Sequence, residues 1–247
     1  EANLLQYKAA MQLIRKKRHR YNLQSRTFES MEPLPELTEY LDRATFVNKD
    51  MDVCEFTNLQ KHDLNLVLQK RYALLNWQQG SGKTAAVYQR AKYLLKFNKV
   101  RNVIVLAPAI ATNMTWEPFL RNNREPYRLL RNYTDFEDIP SGTFLIVSTS
   151  MLCKLKRYLM KFIKLSARRL CLVFDESDEI TNPVSQRTRY ILAIFRRVKY
   201  KILDTGTTTR NNITELYSQF ELLYNNSVNM TCWCPQVYKQ NLSLIHI

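Results

Sequence analysis

YALLNWQQGSGKTAAVYQRAKYLLKF, residues 72–97, runs from a short β-rich segment through a glycine-bearing loop into a helical stretch. A strand before and a helix after is the setting in which such a loop binds phosphate: tight turns at Gly80 and Gly82 aim successive backbone N–H groups, from Gln79 through Ser81, at phosphate oxygens. Lys83 then reaches the β and γ phosphates, and the Thr84 hydroxyl lies on Mg²⁺. The usual pattern carries a glycine six residues before the lysine, where this chain has Trp77. Glycine is rationed here: only Gly80, Gly82, Gly142 and Gly206 occur, and two of the four serve this loop. Residues free to take positive φ therefore mark places where the backbone needs them.

Working outward, further β-rich runs appear at VRNVIVLAP (100–108), TFLIVSTS (143–150), LCLVFDE (170–176) and YKILDTG (200–206). Helical stretches lie between them: TWEPFLRNN, MLCKLKRYLMKFIK and VSQRTRYILAIFRRV. Strands alternating with helices predict an α/β fold, a mainly parallel sheet with helices on both faces, whose ligands sit at the carboxyl ends of the strands. The continuous apolar run LCLVF predicts a strand covered on both faces. It ends in Asp175 and Glu176, at the edge where the phosphate loop opens. There Asp175 is expected to orient Mg²⁺ and Glu176 to polarise the attacking water. Asp178 and Glu179 read as solvated or capping acids.

The composition is that of a globular protein, 45% hydrophobic and 24% charged. Thirty-seven Lys and Arg against 22 Asp and Glu leave a net charge of +15, a field that favours a polyanion. No apolar stretch approaches the roughly 18–20 residues of a membrane span, so a soluble intracellular chain with no membrane partner is expected. Five irregularly spaced cysteines make no disulfide framework, and Cys232-x-Cys234 has no second pair to complete a zinc site. Residues 1–55 read as a basic, helical N-terminal extension, with a boundary in the Pro33 and Pro35 region; residues 56–230 read as the nucleotide-binding lobe and 231–247 as a truncated or unstructured tail. The cluster Arg15–Arg20, and the run from Lys154 to Arg169 free of acids, fit either a solvated helix face or nucleic-acid phosphates.

Taken in order, these motifs resemble the first RecA-like lobe of superfamily-two helicases, and within it the Swi/Snf-like DNA translocases. The shorter loop, x-x-Gly-x-Gly-Lys-Thr, is the form such motors use. TGTTTRNNITELYSQFELL (205–223) is similar to the group's third motif, which couples the ATP site to the nucleic-acid groove. Thr205, Gly206, Thr207, Asn211 and Asn212 match, and Thr208 replaces a proline. VIVLAPAIATNMTWEPFL (103–120) resembles the motif after the second strand, with Pro108 and Trp116 in their expected places; LIVSTSMLCK (145–154) resembles the strand end bearing Thr149. LQKHD (59–63) stands where the family has Leu-x-x-His-Gln, so His62 and Asp63 fall at the adenine, although Asp63, when ionised, only accepts hydrogen bonds. Asp178 replaces the family's usual His.

The resemblance implies ATP and Mg²⁺ as cofactors and DNA as partner, with backbone contact through Pro108, Thr149, Arg121 and Asn212. It also implies a second RecA-like lobe that supplies arginines to the transferring phosphate. That lobe is not expected within the residues after Tyr224. The implied function is an ATP-dependent DNA translocase. A strand-separating or restriction-type motor, and a nucleic-acid-binding module with a degenerate ATP site, are the alternatives.

Overall fold

The structure, a computed structural model, describes residues 11–12, 15, 30–206 and 216–224. The N-terminal helix with most of its basic cluster, Thr207, Thr208, Asn211, Asn212, the Cys232–Cys234 pair and the tail lie outside the described residues. Helix α1 (Pro35–Asp42) leads into a hairpin of β1 (Thr45–Val47) and β2 (Val53–Glu55), followed by α2 (Asn58–Gln69) and β3 (Tyr72–Asn76). Next come α3 (Lys83–Lys96), β4 (Asn102–Ala107), α4 (Glu117–Asn122), β5 (Tyr127–Leu129) and β6 (Phe144–Ser148). The remainder is α5 (Leu152–Ser166), β7 (Leu170–Phe174), α6 (Gln186–Phe195), β8 (Tyr200–Thr205) and α7 (Tyr217–Leu223).

Among the described residues, the six longer-range strands pair in parallel in the order β3-β8-β7-β4-β6-β5. All five runs read as strands from the sequence are strands. Alternate residues feed two cores. Val103, Val105, Ile146, Val173 and Ile202 meet α1, α2 and α3 on one face. Ile104, Leu106, Val147, Leu172, Phe174 and Leu203 meet α5, α6 and α7 on the other. This two-sided burial is why LCLVF shows no alternation. Each large apolar side chain so buried contributes about 1.5–3 kcal/mol, whereas exposed pairs such as Arg43–Glu39 contribute about 0.3–0.5 kcal/mol. The sheet's two cores, not its surface ion pairs, hold the lobe.

Two elements were not foreseen. Strand β5 has three residues, too few to show a period, and it closes the sheet edge beside β6. Residues 34–55, read as part of the extension, pack onto the lobe: Leu37, Leu41 and Ala44 join the α2–α3 core. The Asn65 side chain holds Leu34 through both its backbone groups, and Asn123 does the same for Val47. The low apolar density of this stretch conceals it, because asparagine amides supply much of the attachment. Among the described residues no helix is long and apolar enough to cross a membrane.

Lys201, on β8, is fully buried. Its Nζ donates to Arg196 O at 2.6 Å and to Leu222 O at 2.7 Å, tying the carboxyl end of α7 to the sheet. Burial, and secondarily the charge of Arg196, push its pKa down to about 7, partly offset by Glu221. The unfolded chain keeps the ordinary value of 10.5, so it binds more protons than the folded chain between those limits. The Lys201 contribution to stability is least favourable below about pH 7 and improves as pH rises towards 10.5. Chemical denaturation of the wild type and of Lys201→Met across pH 7–9.5 is expected to show the wild type gaining on the variant at each step. A pH-independent difference between them would sink this account.

Candidate functional site

Parallel pairing sets the carboxyl ends of β3, β8, β7, β4 and β6 side by side. Asn76 lies opposite Thr205, Leu203 opposite Phe174, and Phe174 opposite Leu106. The loops that leave these ends are therefore neighbours, although they are far apart in the chain: residues 77–84, 205–206, 175–180, 108–116 and 149–151.

The first loop is shaped by its glycines. Gly80 and Gly82 have φ of +79° and +82°, values that strain any residue with a Cβ. Gly82 caps α3, whose first-turn N–H groups and positive dipole end face the loop. Ser81 Oγ donates to Gln78 O, and Lys83 Nζ donates to Trp77 O and Gln78 O at 3.2 and 3.3 Å, folding the loop around the ammonium group. Behind the loop stands Gln60, which sequence reasoning missed. It forms a capping box with Thr57 at the start of α2 and donates Nε2 to Ser81 O at 2.8 Å. A Cβ at position 82 would come within 3.2 Å of that nitrogen. The Thr57-x-x-Gln60 spacing carries a legible capping signal, but nothing in the sequence points it at the loop.

Asp63 and His62, expected at the base, are half-exposed and 3.5 Å apart. One Asp63 oxygen is already engaged: Trp77 Nε1 donates to Oδ2 at 3.0 Å. The tryptophan that replaces the first loop glycine is thus pinned to α2.

At the end of β7 the Asp175 carboxylate is 7% exposed. Its backbone N–H is fixed to Leu106 O, and its Oδ2 accepts from the buried Trp116 indole at 2.7 Å. Asp204, one residue before Thr205 on β8, is wholly buried, and neither of its oxygens has a donor. Burial, and then the charge of Asp175 and a hydrogen bond with it, hold the Asp204 carboxyl well above the usual carboxylate range. Glu176 has φ of +53°, a conformation uncommon for a residue with a side chain. Burial first, then Asp175 and Asp178, raise its pKa, while Lys83 opposes them.

Asp178 and Glu179, read from the sequence as solvated or capping acids, lie in the first turn of a short helical segment and are not fully solvated. Asp178 is 7% exposed, and Glu179 pairs with Arg187 at 3.3 Å, because the turn Ser177–Ile180 folds under α7. Ser177 donates to the buried Gln219 of that helix at 3.4 Å. Thr205 is buried, and a Cβ at Gly206 would lie 3.2 Å from Gln79 Cγ and 3.4 Å from Lys83 Nζ. The strand-end glycine thus packs directly on the phosphate loop.

Of the residues expected at nucleic acid, Pro108 and Thr149 fall on the other half of the edge, Arg121 lies on α4, and Asn212 is outside the described residues. Pro108 is half-buried at the end of β4. Thr149 is 6% exposed at the end of β6, and the next residue, Ser150, is exposed with its hydroxyl paired to that of Ser148. Arg121 is exposed, with its guanidinium on Glu117 at 2.8 Å. Arg128 is spent on the carbonyls of Asp135, Glu137 and Asp138.

The donor set fits Mg²⁺. A dense group of carboxyls (Asp175, Glu176, Asp178 and Asp204) faces one lysine, and Thr84 begins the adjacent helix. Among the described residues no three His, Cys, Asp or Glu side chains form a protein-only metal cage; Mg²⁺ needs none, being held by one or two carboxylates with phosphate and water.

No family model matches the chain. Over 177 residues it is 29% identical to the ATP-dependent helicase FUN30 of Saccharomyces cerevisiae, a likeness that covers 66% of this chain and 15% of that protein. The fold is similar to the Sulfolobus solfataricus SWI2/SNF2 ATPase core solved in complex with dsDNA, with a TM-score of 0.59 and 18% identity over 76% of this chain and 38% of that one. It is also similar to the UvsW helicase of bacteriophage T4, with a TM-score of 0.55 and 13% identity over 76% and 64% of the two chains. The chain thus spans a minor part of the curated relative's length. Its ordered motifs, its sheet and these likenesses agree: the chain resembles the Swi/Snf-like group of superfamily-two helicases, and its fold is the mainly parallel α/β sheet of a RecA-type lobe.

Proposed function

We propose that this lobe is the nucleotide-binding half of an ATP-dependent motor that moves on DNA. The observation that carries the reading is the convergence of Lys83, Gly206 and the Asp175–Glu176 pair at one sheet edge, although they come from three separate strands. Residues 79–84 cradle the phosphates through backbone N–H groups, and Lys83 exchanges its contacts with Trp77 O and Gln78 O for phosphate oxygens. Thr84 and Asp175 hold Mg²⁺, which neutralises charge on the phosphates when bound. Glu176, its carboxyl raised by burial, accepts a proton from the attacking water.

DNA lies along the β4–β6 half of the edge, on the loops that follow Pro108 and Ser148, and is held by its backbone without reading of bases. The charge of +15 supports a polyanion partner. A second RecA-like lobe faces the site and supplies the cationic groups that the transferring phosphate requires, since among the described residues Lys83 is the cation that this lobe aims at it.

In the complete protein, Lys83→Ala is expected to abolish DNA-stimulated ATP hydrolysis; unchanged turnover would point instead to a nucleic-acid-binding module with a degenerate ATP site. Glu176→Gln separates binding from chemistry. It should retain nucleotide affinity while kcat falls about 10²- to 10⁴-fold, the range for losing a general base. An equal loss of affinity, measured with a fluorescent ATP analogue, would remove Glu176 from that role.

A further inference from the structure

The segment between Pro108 and α4 is neither a plain loop nor a plain helix. A helical turn, Ala109–Ala111, runs into a π-helical turn, Thr112–Trp116, in which the Glu117 N–H reaches back five residues to Thr112 O. The sequence explains the widening. Pro118 has no N–H to offer the Met114 carbonyl, so the α ladder cannot run continuously into α4. Single π turns of this kind carry one residue more than the α ladder accommodates, and they occur frequently at functional sites.

The two sides of this turn face different surroundings. Ile110 and Met114 are 78% and 76% exposed on the outside, whereas Trp116 is fully buried. The indole packs against Phe119 and donates to Asp175 Oδ2. At 2.7 Å, to a carboxylate and away from water, this is the strong, charge-assisted class of hydrogen bond. The Asp175 backbone is locked to Leu106, so its side chain is the part free to respond.

We propose that Trp116 is the positioning residue through which the loop after Pro108 sets the Asp175 carboxylate: DNA pressing on residues 108–114 re-forms the π turn and moves the indole and the carboxylate together. The proposal rests on the functional reading above, in which that loop meets DNA and Asp175 serves the nucleotide. The indole N–H is suited to the part because it donates only. It cannot itself titrate or take a proton from the site.

Three measurements test it. In the complete protein, Trp116→Phe keeps an aromatic ring in the core and removes the N–H. DNA-stimulated kcat should fall about 10- to 100-fold, the effect of one hydrogen bond to a charged group, while the Kd for duplex DNA is retained. Pro118→Ala restores the missing N–H, allows an α turn and keeps the indole. It too should lower stimulation, and it decides the question if the phenylalanine variant fails to fold. In ¹⁵N-labelled protein, the indole resonance that disappears in Trp116→Phe should shift when duplex DNA is added without nucleotide or Mg²⁺, a response that a merely structural tryptophan lacks. Wild-type stimulation in both variants, or an indole resonance unmoved by saturating DNA, overturns the proposal. A wild-type protein whose ATPase ignores DNA overturns the functional reading, and the proposal with it.

Discussion

A carboxylate at the tip of a strand buried on both faces stays in place only if the neighbouring strands supply its hydrogen bonds. Asp175 meets this constraint from β4, whose Leu106 carbonyl fixes its backbone and whose following turn supplies the Trp116 indole, while the buried Asp204 stands beside it on β8. Much of the edge is arranged around that requirement. The β4–β7 register delivers Leu106 O to the Asp175 backbone, the π turn delivers the indole, and β8 sets the buried Asp204 beside it. An isolated buried carboxylate costs several kcal/mol; the indole offsets part of that cost, and the sheet fixes the backbone that carries the side chain.

The same economy governs the buried cations. Arg90, 1% exposed on the helix that begins at Lys83, donates to the carbonyls of Lys70 and Arg71 at the start of β3 and touches Cys171 on β7. It ties the middle of the phosphate-loop helix to the sheet. Lys201 fastens α7, the helix that also holds Ser177 through Gln219. Long cationic side chains therefore close backbone carbonyls at strand and helix ends, where water does not reach and an apolar residue would leave those carbonyls unpaired. Two of the chain's many basic residues thus serve architecture, and the net charge alone does not mark which ones.

Legibility followed the length scale of each signal. The strands ending in Ala107, Ser148 and Phe174 were readable because four or five consecutive apolar residues leave little alternative, and the loop at residues 78–84 because glycine spacing before lysine has a specific physical use. Strand β5 and the hairpin of β1 and β2, at three residues each, fall below any periodicity. What the sequence could not disclose were partnerships across the fold. The Gln60 contact with Ser81, the Trp77–Asp63 bond, the indole on Asp175 and the burial of Asp178 each depend on register between elements that are distant in the chain. Motif matching aligned Asp63 with a position that contacts adenine; in the fold Asp63 also holds Trp77, and Gln60, three residues earlier and almost one helical turn away, reaches Ser81 of the loop.

The indole of Trp77 has a thermodynamic consequence. Glycine at that position would let the chain pivot where β3 ends; instead the indole anchors the loop to α2, while Gln60 anchors its other half. The freedom left to the loop is confined to the few residues between those anchors. A short tethered segment has little conformational entropy to lose when it closes on an anion. Its association rate then depends more on diffusion and charge than on waiting for a rare loop shape.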